Sequence, residues 1–381
     1  MAAKVLVHGN IYTGKAHLPD GFIRFTDKIN ETGRMEDYQP RPDEEVIEGK
    51  GLTVIPGMID VHIHGGYDID AMDADPQSLR TLSQKLLQEG VTSFFPTTMT
   101  QAYEKIEAAL RAIQQAKAGG GTIIEGIHLE GPFISKKRAG AQPLQYIQAP
   151  DPEWFLKWYE ASGHLIKLVT YAPENEGARD FEKLMIEHGI VPSMGHTDGV
   201  LAELLDSMAT HATHLYNGMR GIHHREPGAA GHALLSPQVQ VELIADGIHV
   251  HPDMVKLTYE LKGPEKVTVI TDAMRAKGLP DGKSELGGQK VLVKNGEARL
   301  ENGALAGSIL KMDAAFRNII QFTGCSVADA VQMTSVNQAR EFGLSQKGGL
   351  TAGKDADFVM LDKALQVTAT YHLGKYYGRE G

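Results

Sequence analysis

The sequence predicts an α/β protein, a (β/α)8 TIM barrel with a small β-sandwich domain built from both chain ends. Two observations carry that expectation. From Thr53 onward, short apolar runs alternate with amphipathic stretches, the rhythm of parallel strands and the helices that cover them. At both ends the pattern changes to short alternating segments broken by Gly, Asp and Asn. The expected division is residues 1–52 and 350–381 for the two parts of the sandwich and residues 53–349 for the barrel.

The elements follow in order. KVLV at 4–7 and GFIRF at 21–25 are the strand-like segments of the first part. The apolar runs 54–63, 92–97, 122–129, 166–172, 190–195, 211–216, 240–246 and 267–272 are the eight strand candidates. Between many of them lie helical patterns. Residues 76–89 set Leu79, Leu82, Leu86 and Leu87 on one stripe and stop at Gly90, and 102–118 and 176–188 behave the same way. Strands and helices alternating over about 220 residues approach the roughly 250 of a typical barrel. A doubly wound open sheet ranks second, because no G-x-G-x-x-G turn follows the first strand. Two further helical stretches, 309–322 and 326–341, precede a return of β character at 356–361, with Gly348, Gly349 and Gly353 as turns.

Composition narrows the function. The chain has 381 residues, 42% of them hydrophobic, enough to bury a large core. A net charge of −10 and no basic run longer than Lys136, Lys137 and Arg138 argue against a nucleic-acid partner. No segment approaches the roughly 20 apolar residues of a membrane span, and the N-terminus lacks a signal-peptide pattern. The single cysteine, Cys325, excludes an internal disulfide framework and fits a reducing cytoplasm.

The candidate strand ends carry chemistry. His62 and His64 are two apart at the end of the first run, so in a strand both imidazoles point to one side. Later strand ends carry Glu130, His196, His214 and Asp272, and barrel active sites sit at those ends. Imidazoles with one carboxylate suit a divalent cation, which lowers the pKa of water bound to it toward about 7. Asp272 is the candidate general base, with a helix N-cap as its alternative role.

Longer motifs join these residues: PGMIDVHIHG at 56–65, HLEGPF at 128–133, SMGHT at 193–197 and THLYNGM at 213–219, then HHREPG at 223–228, ADGIH at 245–249, TDA at 271–273 and LAGS at 305–308. Together they resemble the amidohydrolase superfamily and, within it, the N-acetylglucosamine-6-phosphate deacetylase family, over nearly the full chain. The resemblance implies metal-dependent hydrolysis of the N-acetyl group of N-acetyl-D-glucosamine 6-phosphate to D-glucosamine 6-phosphate and acetate, in amino-sugar catabolism or recycling. It implies Glu130, His196 and His214 as principal metal ligands and Asp272 as general acid/base. Asn217, Gly218, Arg225 and His249 fall where the family holds the sugar phosphate and hydroxyls. Ala141, Gln142, Leu305, Ala306 and Gly307 fall on substrate-contacting loops. Arg225 offers a bidentate fork for phosphate, and Gly218 permits close backbone approach. The family also implies a homodimer in which Arg225 reaches the neighbouring site.

Two departures bear on the metal. Some relatives lack the first-strand histidines, whereas His62 and His64 are both present here and leave room for a second cation. Some carry a histidine where this chain has Gln142, whose amide donates but cannot be cationic. One or two cations per subunit are therefore expected, from among Zn, Fe, Co, Mn and Ni. The rivals are an amidohydrolase acting on a cyclic amide and a catalytically silent sugar-phosphate sensor. Against the first stands Glu130 in the carboxylate role. Against the second stands Asp272, which has no obvious binding-only role. Among weaker signals, residues 136–138 read as a solvated loop or an anion-attracting lid, and His223 and His224 as neighbours of Arg225. His251 reads as a residue at the surface or behind the site, and Cys325 as a small hydrophobe buried in a helical pattern.

Overall fold

The structure, a computed structural model, describes residues 3–378. It contains two compact units. One is drawn from the chain up to Asp60, from Gln84–Ser93 and from Met312 onward, and the other from Val61–Ser83 and Phe94–Lys311.

In the first unit both chain ends enter one eight-stranded sheet. Its order is Lys375–Gly378, Val367–His372, Phe358–Leu361, Thr53–Pro56, Lys4–Tyr12, His17–Phe25 and Ile29–Arg34, with Glu45–Glu48 also paired to Lys4–Tyr12. The ends meet where Phe358–Leu361 runs antiparallel to Thr53–Pro56, Val359 opposite Ile55. Alternation sends Leu6, Ile23, Phe25, Val54 and Phe358 into one apolar cluster, and Val5, Val7 and Phe22 into another. The expected helix 326–341 is interrupted: Val327–Val331 and Asn337–Glu341 flank a π-helical turn at Gln332–Val336. Cys325 lies in the short link before it, buried but outside either helix.

The apolar run 54–63, expected as one strand, is two. Thr53–Pro56 joins the end-derived sheet and Met58–Ile63 pairs with Val91–Pro96. Gly57 makes the break, at a point where a Cβ would lie 2.0 Å from Thr92 Oγ1.

The second unit holds six parallel strands in sequential order: Ile127–Glu130, Ile166–Tyr171, Val191–Met194, His211–Ala212, Gln240–Ile244 and Val267–Ile270. Helices such as Pro152–Ala161, Ala178–Glu187 and Pro252–Lys262 lie between them in the chain. Single parallel bridges link Phe94 to Ile124, Thr97 to His128, Ile63 to Ala273, and Ala273 to Ser308. All five residues of Gln240–Ile244 are buried, as both faces of a covered parallel strand are.

A three-stranded antiparallel sheet, Gly282–Leu286, Gln289–Lys294 and Glu297–Leu300, adds to the expected elements. Its hairpins turn through Gly287-Gly288 and Asn295-Gly296, all four at positive φ, as type I′ loops require. Among the described residues no helix is long and apolar enough to cross a membrane.

Candidate metal centre and substrate cavity

Glu130, His196, His214 and Asp272 each stand at the end of a parallel strand or just past it, and His62 and His64 flank the last residue of the strand Met58–Ile63. Glu130 ends its strand, while His196, His214 and Asp272 follow theirs by two residues, in left-handed backbone with φ of 45°, 31° and 48°. Non-glycine residues enter that region at a cost of about 1–3 kcal/mol, so the surrounding structure must hold them there. Backbone bonds do so on both sides of Asp272: its N–H donates to the His62 carbonyl at 2.9 Å, and its carbonyl accepts from Ser308 at 2.7 Å. No helix begins at Asp272, so the N-cap alternative does not apply.

Two groups of three form, Glu130 with His196 and His214, and Asp272 with His62 and His64, each with its ligand atoms within 4.8 Å of one another. In the first, Glu130 Oε1 is 3.2 Å from His196 Nε2 and 3.1 Å from His214 Nε2, and the two nitrogens are 3.1 Å apart. In the second, Asp272 Oδ1 is 3.4 Å from His62 Nε2 and 3.3 Å from His64 Nε2. Glu130 Oε2 lies 3.3 Å from His64 Nε2, so this carboxylate faces both groups. Ligand atoms about 2.0–2.1 Å from a tetrahedral cation stand roughly 3.3 Å from one another, and these spacings match.

The far ring nitrogens support the same reading. His62 Nδ1 donates to Glu242 Oε2 at 2.9 Å, His64 Nδ1 to the Thr97 carbonyl at 3.2 Å, and His196 Nδ1 to the Arg138 carbonyl at 2.8 Å. Those acceptors carry no proton to give, so Nδ1 holds the ring proton and Nε2 presents a lone pair inward. Burial pushes the Glu130 carboxyl up, but the imidazoles around it prevail and hold it well below the usual range. Burial pushes His62 down, and the carboxylates of Glu242, Asp272 and Glu130 outweigh it and raise its pKa to about 9. His64 is likewise raised well above its ordinary value, burial being overcome by hydrogen bonds to Asp272 and Glu130. The carboxylates thus draw positive charge to these nitrogens, as protons or as a cation.

A cavity of about 360 Å³ opens over these groups. His64, Glu130, His196, His214 and Asp272 lie at its wall, with Ala141, Gln142, Asn217, Gly218, His249, Leu305 and Gly307 around it. A model of the amidohydrolase family matches residues 53–377. The chain belongs to the amidohydrolase family. An N-acetylglucosamine-6-phosphate deacetylase of Bacillus subtilis (strain 168) is 44% identical, over 94% of this chain and 93% of its own. An N-acetylgalactosamine-6-phosphate deacetylase of Escherichia coli O157:H7 is 36% identical, covering 91% of this chain and 96% of its own. Among solved structures, a mutant Mycobacterium smegmatis N-acetyl-D-glucosamine-6-phosphate deacetylase in complex with N-acetyl-D-glucosamine-6-phosphate superposes with a TM-score of 0.93. It is 31% identical over 99% of both chains.

In this amidohydrolase three of the expected residues stand off the cavity wall. His62 is fully buried behind it, and Ala306 is also fully buried. Arg225 is exposed on its loop, with Nη1 2.8 Å from His224 Nε2, so the cavity of its own chain does not include it. Residues 136–138 form a short turn in which Lys136 and Lys137 are exposed, as a solvated loop would be, while Arg138 is held. Asp198 holds Arg138 at 2.8 Å, with the exposed Lys137 3.6 Å away, and the Arg138 carbonyl holds His196. His251 caps the helix Pro252–Lys262, accepting from the Asp253 N–H at 3.2 Å.

Residues missed in the sequence also build the site. Met99, Leu286 and Arg299 line the cavity, the last two from the unforeseen antiparallel sheet. Thr97 and Glu242 orient His64 and His62 from behind, and His211 holds Glu242. The two-residue turns Gly287-Gly288 and Asn295-Gly296 were the signal for that sheet, and nothing in QVELI at 240–244 singled out Glu242.

Proposed function

We propose that this amidohydrolase removes the N-acetyl group of N-acetyl-D-glucosamine 6-phosphate, giving D-glucosamine 6-phosphate and acetate. The carrying observation is the convergence of Glu130, His196, His214 and Asp272 on one cavity wall. The relatives named above support the substrate. Glu130, His196 and His214 would hold one divalent cation (Zn, Fe, Co, Mn or Ni), and His62, His64 and Asp272 a second. A cation so held lowers the pKa of water toward about 7 and polarises an amide carbonyl.

The protein's own groups do the rest. The Asp272 carboxylate takes a proton from the attacking water and returns it to the departing amine nitrogen. Gln142 is clamped: its Oε1 accepts from the Thr100 N–H at 2.8 Å and its Nε2 donates to Glu130 Oε2 at 2.9 Å. The second Nε2 proton remains for the substrate carbonyl, where it steadies the developing oxyanion. Asp246 Oδ2 holds His249 Nδ1 at 2.7 Å and so turns its Nε2 to the sugar-phosphate end, beside Asn217 and Gly218. Ala141 and Leu305 to Gly307 complete the substrate's enclosure. Arg225, exposed and pointing out of its own site, fits a homodimer in which it meets the partner's substrate phosphate.

We also read the six-stranded parallel sheet and the pair Met58–Ile63/Val91–Pro96 as one closed (β/α)8 barrel, joined by the bridges at Ile63, Phe94 and Thr97. The two apolar clusters of the end-derived sheet favour a sandwich. A cytoplasmic enzyme of amino-sugar recycling fits the single buried cysteine.

The test is acetate release from N-acetyl-D-glucosamine 6-phosphate by purified protein supplied with each cation in turn. The N-acetylgalactosamine isomer and a cyclic amide serve as competitors. Turnover of the phosphosugar is expected. Turnover of the cyclic amide alone would overturn the assignment, and no turnover with any cation would leave a sensor.

A further inference from the structure

Glu242 sits in the strand Gln240–Ile244 with no exposed surface, and the proposed chemistry gives it no task. Three donors converge on its carboxylate. Oε2 accepts from His62 Nδ1 at 2.9 Å and from the backbone N–H of His214 at 2.9 Å, while Oε1 accepts from His211 Nε2 at 3.1 Å. A buried carboxylate is costly unless its hydrogen bonds repay the lost hydration, and a strand needs none to form. The charge therefore has a use beyond packing. One oxygen atom touches a member of each candidate metal group: the His62 ring from one and the His214 backbone from the other.

We infer that Glu242 is a positioning residue of the metal centre, holding the His62 ring so that Nε2 faces Asp272 and Glu130, and pinning it to the strand end that carries His214. The inference rests on the reading that both groups hold cations. Carboxylates bonded to the far nitrogen of a ligating histidine fix its tautomer and raise its basicity, and losing such a partner weakens metal binding about 10- to 100-fold. Glutamine keeps the shape of Glu242 but has one acceptor oxygen for three donors, and no charge.

The experiment titrates chelator-stripped wild type and Glu242→Gln with Zn2+ by equilibrium dialysis, beside the melting temperature of each cation-free protein. Wild type takes two equivalents. Glu242→Gln takes the first within about threefold of wild type and the second about 10- to 100-fold more weakly, with little change in melting. Unchanged affinity for both equivalents overturns the positioning role. So does loss of both affinities in step with melting, which marks a residue that only supports the fold. A wild type that takes one equivalent removes the two-cation reading itself, a failure visible without any variant. Should Glu242→Gln not fold, imidazole 15N spectra of Zn2+-bound wild type decide, with His62 identified by its absence from His62→Gln. A proton on His62 Nδ1 supports the inference, and a proton on Nε2 overturns it.

Discussion

Asp272 meets two imidazoles with a single oxygen, Oδ1 standing 3.4 Å from His62 Nε2 and 3.3 Å from His64 Nε2. Burial raises its pKa, and the two histidines bring it below the ordinary value, so it is ionised and ready to accept a proton. Asp272→Asn keeps the shape and removes the proton acceptor. It should lower kcat by about 100- to 10,000-fold while phosphosugar binding, followed by calorimetry, persists. Gly218 is the second telling residue. Its φ is +55°, and an added Cβ would come within 2.8 Å of His196 Nδ1. Gly218→Ala should displace that imidazole and lose metal affinity by about tenfold or more, read by dialysis. At this scale the legible residues were those that punctuate a strand end. His64, Glu130, His196, His214 and Asp272 stand where a strand has ended or is ending, and His62 is two residues before His64, where a polar side chain is conspicuous. Glu242 and His211 were hidden, because a polar residue inside an apolar run reads as solvent-facing until both faces of the strand are covered.

Among elements, length and pairing partner were the hard quantities. The run 211–216 promised a strand, yet only His211–Ala212 pair regularly, because the chain then turns left-handed at His214 to aim its side chain. The run 54–63 looked continuous because apolar patterning does not register a change of sheet. Gly57→Ala should cost about 2 kcal/mol or more in a denaturant titration, since Thr92, almost fully buried, leaves no space for a methyl. The strand His17–Phe25 carries Arg24, whose Nε donates to Glu44 Oε2 at 2.8 Å with both side chains 3% or less exposed. That bond, chiefly, pulls the Glu44 carboxyl down from 4.5 to about 2. A carboxyl lowered by folding stabilises above its unfolded pKa and loses that contribution as pH falls through the folded one. Glu44→Gln should therefore flatten the acid limb of the stability curve between about pH 4.5 and 2, by at most about 3 kcal/mol. Urea midpoints across that range measure it.

For the molecule as a whole, composition and rhythm conveyed the α/β class and the alternation of strand and helix. They could not convey the added antiparallel sheet, whose residues lie between the last parallel strand and the LAGS motif and wall the cavity with Leu286 and Arg299. A cation that binds only the folded chain stabilises it by mass action, about 4 kcal/mol at a thousandfold excess over Kd. Chelator treatment should lower the melting temperature by several degrees, and Zn2+ should restore it. The antiparallel pairing of Phe358–Leu361 on Thr53–Pro56 acts on another timescale, that of synthesis. Thr53–Pro56 leaves the ribosome about 300 residues before its partner does. Throughout that interval Thr53–Pro56 waits with one edge unpaired, a template for any passing strand. A chain stopped before Phe358 can possess every residue of the site and still carry an open edge. Such truncations should collect in aggregates, whatever the integrity of their catalytic groups.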